Sequence, residues 1–206
     1  MARPRQISDE QILGTMRSCV IELGPQVPLD VVAEKLGVTG PALLKRFGNR
    51  QELLIRALLP GHEPQWVHDA EAGPDARPLA EQLEDLFTRI SETFAELVPC
   101  LTALRQSGIR MESIAERHPS PARGLKALRR WLEAARERGL VAGEELETAA
   151  TAMLGAVQSN IMLAHLYKRT WSPRSQREYV KDLVQLFTRA LSPHPPRTTS
   201  PAGGRP

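Results

Sequence analysis

Residues 28–54, PLDVVAEKLGVTGPALLKRFGNRQELL, admit few folds: two short helices broken by a tight turn, then the start of a third. Leu29, Val32, Ala33 and Leu36 recur at helical spacing and give the first helix one apolar face. Gly37 follows at once and can take the left-handed conformation that ends a helix. Thr39 can cap the next helix by accepting a backbone N–H from two or three residues on. Pro41 falls in the first turn, where its missing N–H has no helical partner to lose. Leu43, Leu44 and Phe47 supply this short helix with its apolar contacts. Between Val38 and Gln51 the chain has no acid, yet it carries Lys45, Arg46 and Arg50. A helix-turn-helix holds its second helix at the depth of a DNA major groove, and an acid-free cationic stretch there suits phosphate contact.

The remainder reads as helix throughout. Aromatic residues are only 4% of the 206, and β-branched alternation is absent, so the sequence predicts an all-α protein with one large or two small domains. Ser8 and Gln11 form a capping box, with Ile7 and Ile12 as its hydrophobic staple. Ile12, Met16, Cys19, Val20 and Leu23 make one face of that first helix, which Gly24-Pro25 ends. Asn49 and Glu52 read as a second capping box, starting a fourth helix at Arg50. Pro60-Gly61 and Pro64 leave that helix short or kinked, with 65–71 as a separate turn and 72–78 as a loop.

A fifth helix with the stripe Leu79, Leu83, Leu86, Phe87, Ile90, Phe94 and Leu97 is expected to break at Pro99. A shorter, interrupted pair of helical pieces follows, holding Cys100, Leu101, Leu104, Ile109, Met111 and Ile114 around Gly108. Pro119 and Pro121 start a helix that turns Leu125, Leu128, Leu132 and Ala135 inward, and Gly139 closes it. Its outer arginines and lysine read as a solvated face. A long helix is expected from Glu144 to about Arg169, and a last one from Ser172-Pro173 with the stripe Val180, Leu183, Val184, Phe187 and Leu191. The tail 192–206, rich in Pro, Gly, Ser and Thr, is expected to be disordered.

Net charge is +3, and residues 1–60 carry eight Lys/Arg against six Asp/Glu, so the placement of charge matters more than its total. Cys19 and Cys100 are expected as buried, reduced thiols. No signal peptide and no bilayer-spanning run is evident, so a cytoplasmic protein without a membrane partner is expected. No Gly-rich phosphate loop follows a strand, and neither His-Glu-x-x-His nor a nucleophile motif appears. His62, Glu63, His68 and Asp69 match no standard metal spacing. The chain is therefore read as a non-enzyme with no catalytic residue, metal or cofactor.

The run Val32-Ala33, Gly37-Val38-Thr39, Leu43, Phe47 and Asn49-Arg50-Gln51-Glu52-Leu53-Leu54 resembles the DNA-binding region of the TetR family of bacterial transcriptional regulators. Two positions depart from that pattern. Leu44 stands where the family usually has a tyrosine that touches phosphate, and Arg50 where it usually has a lysine. The resemblance implies an N-terminal three-helix helix-turn-helix domain over 1–60 and a C-terminal helical ligand-binding and dimerisation domain over 61–191. It implies double-stranded DNA as partner, with Thr39, Gly40, Pro41, Ala42, Leu44, Lys45, Arg46 and Arg50 at the interface. Gly40, Pro41 and Ala42 carry no side-chain donor, so they can offer only apolar contact, for example to a thymine methyl.

The resemblance also implies a homodimer through the two C-terminal helices. The small-residue side Ala149, Ala152, Gly155, Ala156 and Ser159 would permit close approach of a second subunit. A small hydrophobic effector is expected to bind the second domain and release DNA. Candidate lining residues are Phe87, Phe94, Leu101, Leu104, Met111, Trp131, Met153 and Val157, with Gln158, Asn160 and His165 as polar handles. The competing reading is a helical protein-interaction module that has lost specific DNA binding, and Leu44 is the residue favouring it.

Overall fold

The structure is a computed structural model that describes residues 7–59, 61–112, 114, 120–167 and 175–193. Among the described residues there are nine helices of eight residues or more and no strand. They are α1 (Asp9–Leu23), α2 (Leu29–Leu36), α3 (Gly40–Phe47), α4 (Arg50–Leu58), α5 (Gln65–Ala72), α6 (Leu79–Gln106), α7 (Ser120–Glu137), α8 (Leu146–Leu166) and α9 (Gln176–Leu191). None is long and apolar enough to cross a membrane.

Local chemistry sets most of the helix ends. Ser8 accepts the Gln11 amide at 3.1 Å while Gln11 Oε1 accepts the Ser8 amide at 3.0 Å, which completes the capping box of α1. Asn49 accepts the Glu52 amide at 2.9 Å and opens α4. The fourth helix is short, and α5 is a helix of its own beginning after Pro64. Buried Gln82 stitches the following loop onto α6: its Oε1 accepts from the Asp75 amide at 2.8 Å and its Nε2 donates to Arg77 O at 2.6 Å.

Two apolar cores result. One gathers α1–α4 around Met16, Leu43, Phe47, Leu53 and Leu54. The other gathers α5–α9 around Phe87, Ile90, Leu128, Leu132 and Met153. Phe87 and Phe187 meet there with ring centroids 5.6 Å apart. Helix α6 belongs to both cores: Leu83 through Val98 enter the second, and Cys100 and Leu104 enter the first.

Two expectations are corrected. Pro99 does not end a helix, because α6 runs unbroken from Leu79 to Gln106 and takes in Cys100, Leu101 and Leu104. A proline removes one helical hydrogen bond and crowds the carbonyl four residues back. Here that residue is exposed Ala95, so its carbonyl can be hydrated, while burial of Val98 and Cys100 on either side holds the helix together. The last helix starts at Gln176, where Ser175 and Glu178 make a capping box, three residues beyond the expected Ser172-Pro173 pair. Ser172, Pro173, Pro119, Arg169 and the tail from residue 194 lie outside the described residues. Cys19 and Cys100 are both free and buried.

Candidate nucleic-acid interface

The geometry of the turn starts at Gly37, which takes φ 67°, ψ 31° and returns its N–H to the end of α2. That left-handed cap reverses the chain in two residues. Thr39 then accepts the Ala42 amide at 3.4 Å, with Pro41 in the first turn of α3. Gly40 is buried, and a Cβ there would stand 2.8 Å from Asp30 Oδ1, so α2 and α3 approach closely at this point.

Leu43 and Phe47 fasten α3 to the first core. The opposite face carries Pro41, Ala42, Lys45 and Arg46, all exposed. Spacings of one, three and one along a helix place these four side chains on one side. Leu44 is half-buried beside them, and Thr39 is exposed at the helix start.

The three cations differ in freedom. Lys45 has no hydrogen bond or ion pair among the described residues. Arg46 donates from Nη1 to Ile7 O at 2.6 Å, and its Nε pairs with the Asp9 carboxylate. Arg50 turns back to the loop between α1 and α2, where Nη2 donates to Pro25 O at 3.0 Å and to Val27 O at 2.7 Å. Partial burial lowers its pKa from the ordinary arginine value. Arg50 therefore acts as a strut of the loop between α1 and α2. Spacing within the motif gave no sign of these partners, because Ile7, Asp9, Pro25 and Val27 all lie more than twenty residues away in sequence.

The expected effector-lining residues do not converge on one cavity. Phe87, Met153 and Val157 are fully buried in the second core, with Phe94 and Trp131 beside them. Leu104 packs in the first core instead. Gln158 is exposed, and Asn160 and His165 are half-buried. Leu101 and Met111 do come together, at a groove of about 1470 Å³ bounded by α1, the end of α4, residues 61–66 and α6. Its walls mix apolar side chains such as Leu13 and Leu97 with the ion pair Arg17–Glu96 at 3.9 Å.

Among the described residues, no group of three or more His, Cys, Asp or Glu side chains is placed to hold a metal ion. Glu63 and Asp69 pair instead with Arg123 and Arg89.

A family model for the C-terminal domain of AefR-like transcriptional repressors, a TetR-type domain, matches residues 103–192. The same arrangement of helices recurs along most of the chain in solved structures. A TetR-family regulator from Mesorhizobium loti superposes with a TM-score of 0.70 at 18% identity, over 89% of this chain and 96% of its own. Residues 103–192 thus match a TetR-type C-terminal domain, and the chain as a whole has the fold of TetR-family regulators. PfmR, a TetR-family regulator from Thermus thermophilus, matches at TM-score 0.58 and 20% identity over 87% of this chain and 97% of its own. The fatty acid degradation regulator FadR of Bacillus halodurans matches at 0.63 and 17% over 90% and 97%. At such identities these likenesses concern the TetR-family fold. No curated protein matches the chain.

Proposed function

We propose that this chain is a DNA-binding transcriptional regulator of the TetR family, acting as a repressor, whose homodimer grips a palindromic operator and releases it when a small hydrophobic effector binds. The observation that carries the reading is the outward face of α3, where Pro41, Ala42, Lys45 and Arg46 stand exposed while Leu43 and Phe47 anchor the helix behind them. Lys45 and Arg46 supply phosphate contact, or a bidentate contact to guanine in the case of arginine. Pro41 and Ala42 offer apolar contact to base edges, and DNA shape carries the rest of the specificity. Thr39, Gly40 and Leu44 set the approach of the helix, and Arg50 braces the loop between α1 and α2.

One short helix reads few base pairs, so two copies related by a two-fold axis are needed for a useful grip. We assign residues 1–60 to that grip and 61–191 to dimerisation and effector binding. The dimer forms through α8 and α9. Ala152 and Ser159 on the small-residue side of α8 are exposed, and a Cβ at Gly155 would meet nothing within 4 Å, which favours packing against a second subunit over packing within one. Leu166, Tyr167 and Leu186 are exposed apolar residues on the same two helices and the residue that ends α8.

We place the effector at the groove bordered by Leu101 and Met111, because an occupant there touches both α1 and α6. It releases DNA only to the extent that it binds the released arrangement better than the gripping one.

Selection of bound sequences from random duplex DNA tests the reading. Enrichment of a palindrome with two half-sites about one helical turn apart is the expected result. If no palindrome is enriched, the DNA-binding assignment falls and the protein-interaction reading that Leu44 favours takes its place.

A further inference from the structure

Of the two cations on the outward face of α3, Lys45 is unpaired among the described residues, whereas Arg46 is tied to another helix. Both of its partners sit at the opening of α1: the Ile7 carbonyl just before the cap, and the Asp9 carboxylate in the first turn. The contact lies in water, with the Arg46 side chain 42% exposed and that of Asp9 54% exposed. An ion pair this exposed adds little to folding stability. Its position matters more than its strength. A carboxylate occupies the edge of the guanidinium with which arginine takes a phosphate, and the two anions compete for the same donors.

We infer that Asp9 is a positioning residue that holds Arg46 against α1 and competes with the DNA backbone for it, so that operator binding exchanges carboxylate for phosphate in each subunit. This inference rests on the DNA-binding reading. A plain structural role is also open to Asp9, since an acid in the first turn favours the helix dipole. The two roles predict different outcomes. A helix-dipole role changes stability and leaves Arg46 uninvolved. A general repulsion between Asp9 and DNA tightens binding on removal of the acid whether or not Arg46 is present. Competition tightens binding only when Arg46 is there to be freed.

The experiment is a double-mutant cycle on the full chain, using Asp9→Asn, Arg46→Ala and the pair, with affinity measured for the operator enriched by selection. Glu10→Gln is the control: Glu10 is the next acid in the same turn, is exposed, and has no partner among the described residues. Thermal melts of each variant establish that it folds. We expect Asp9→Asn to tighten binding by about twofold to fivefold per subunit, the range of an exposed pair, and by the square of that in a dimer. In the Arg46→Ala background the same substitution should do no more than Glu10→Gln does. Equal gains from Asp9→Asn in both backgrounds, or no gain in the parent, overturn the inference while the DNA-binding reading stands. A parent that binds no duplex brings down both.

Discussion

Replacing Gly124 by alanine separates packing from helix propensity with one methyl group. Gly124 is buried in α7, and a Cβ there would press into the Cη2 end of the Trp66 ring, with Cζ2 at 2.9 Å. Trp66 is 3% exposed and packed within the core of α5–α9, so its ring cannot shift without disturbing its neighbours there. Overpacking a filled core costs about 1–3 kcal/mol, and contact with a rigid ring puts this site near the upper end. Removing a glycine from a helix interior returns about 1 kcal/mol. The net expectation is a loss of about 2 kcal/mol, or a fall in Tm of about 4–8 °C for a chain of this size. Gly14→Ala is the matched control: it too lies within a helix, but nothing stands within 4 Å of its added Cβ. There only the propensity gain remains, so stability should rise by up to about 1 kcal/mol. The assay is thermal and urea unfolding of parent, Gly124→Ala and Gly14→Ala at one protein concentration. A Gly124→Ala protein as stable as the parent would refute the packing of Trp66 against α7 argued above.

Two further substitutions probe surface charge. Lys45→Ala should weaken operator binding across sequences and lower the salt slope by about 1 per subunit, as read by titration at several salt concentrations, while dimerisation measured by sedimentation stays unchanged. Arg123 grips both Glu71 oxygens, at 3.1 and 3.2 Å, and its hydrogen bonds hold the Glu71 carboxyl below the usual carboxylate range. That contribution is complete above the unfolded-state pKa of glutamate and is lost as pH falls through the lower folded-state value. Melting curves against pH should therefore place Arg123→Gln below the parent at neutral pH, with the two converging in acid. A constant gap across the range would remove Glu71 as the cause.

What could be read from the sequence follows the range of the forces involved. Caps and turns were legible because their chemistry is local. Ser8 with Gln11, Gly37 and Thr39 each satisfy backbone groups within a few residues, and the structure places them as that chemistry requires. Most buried faces were legible because periodicity reports which side of a helix leaves water, although Leu23, expected on the apolar face of α1, is exposed. Periodicity does not report what lies on the other side. Phe87 and Leu104 therefore looked alike as candidate lining residues, yet they pack in different cores. The partners of Arg46 and Arg50 were hidden for the same reason, since nothing within α3 and α4 points to Ile7, Asp9, Pro25 or Val27.

Pro99 shows how a local rule fails for a physical reason. On its own a mid-helix proline ends a helix, at a cost of about 3 kcal/mol. Each of the buried large side chains that flank it can offset about 1.5–3 kcal/mol by leaving water, and α6 has them on both sides. Val98 closes the core of α5–α9, and Leu104 enters the core of α1–α4. The proline thus sits where the helix passes from one core to the other, and breaking there would expose apolar surface in both. Cys100 and Leu104 consequently belong to the same core as Leu43 and Phe47 of α3. Helix α6 meets this core through α4 and α1, and α4 in turn packs on α3, so Leu97 and Leu101 at the groove edge lie one helix away from the packing behind the outward face of α3. Close-packed interiors hold little free volume, so a shift of α6 has to be taken up by α4 and α1 before it reaches α3.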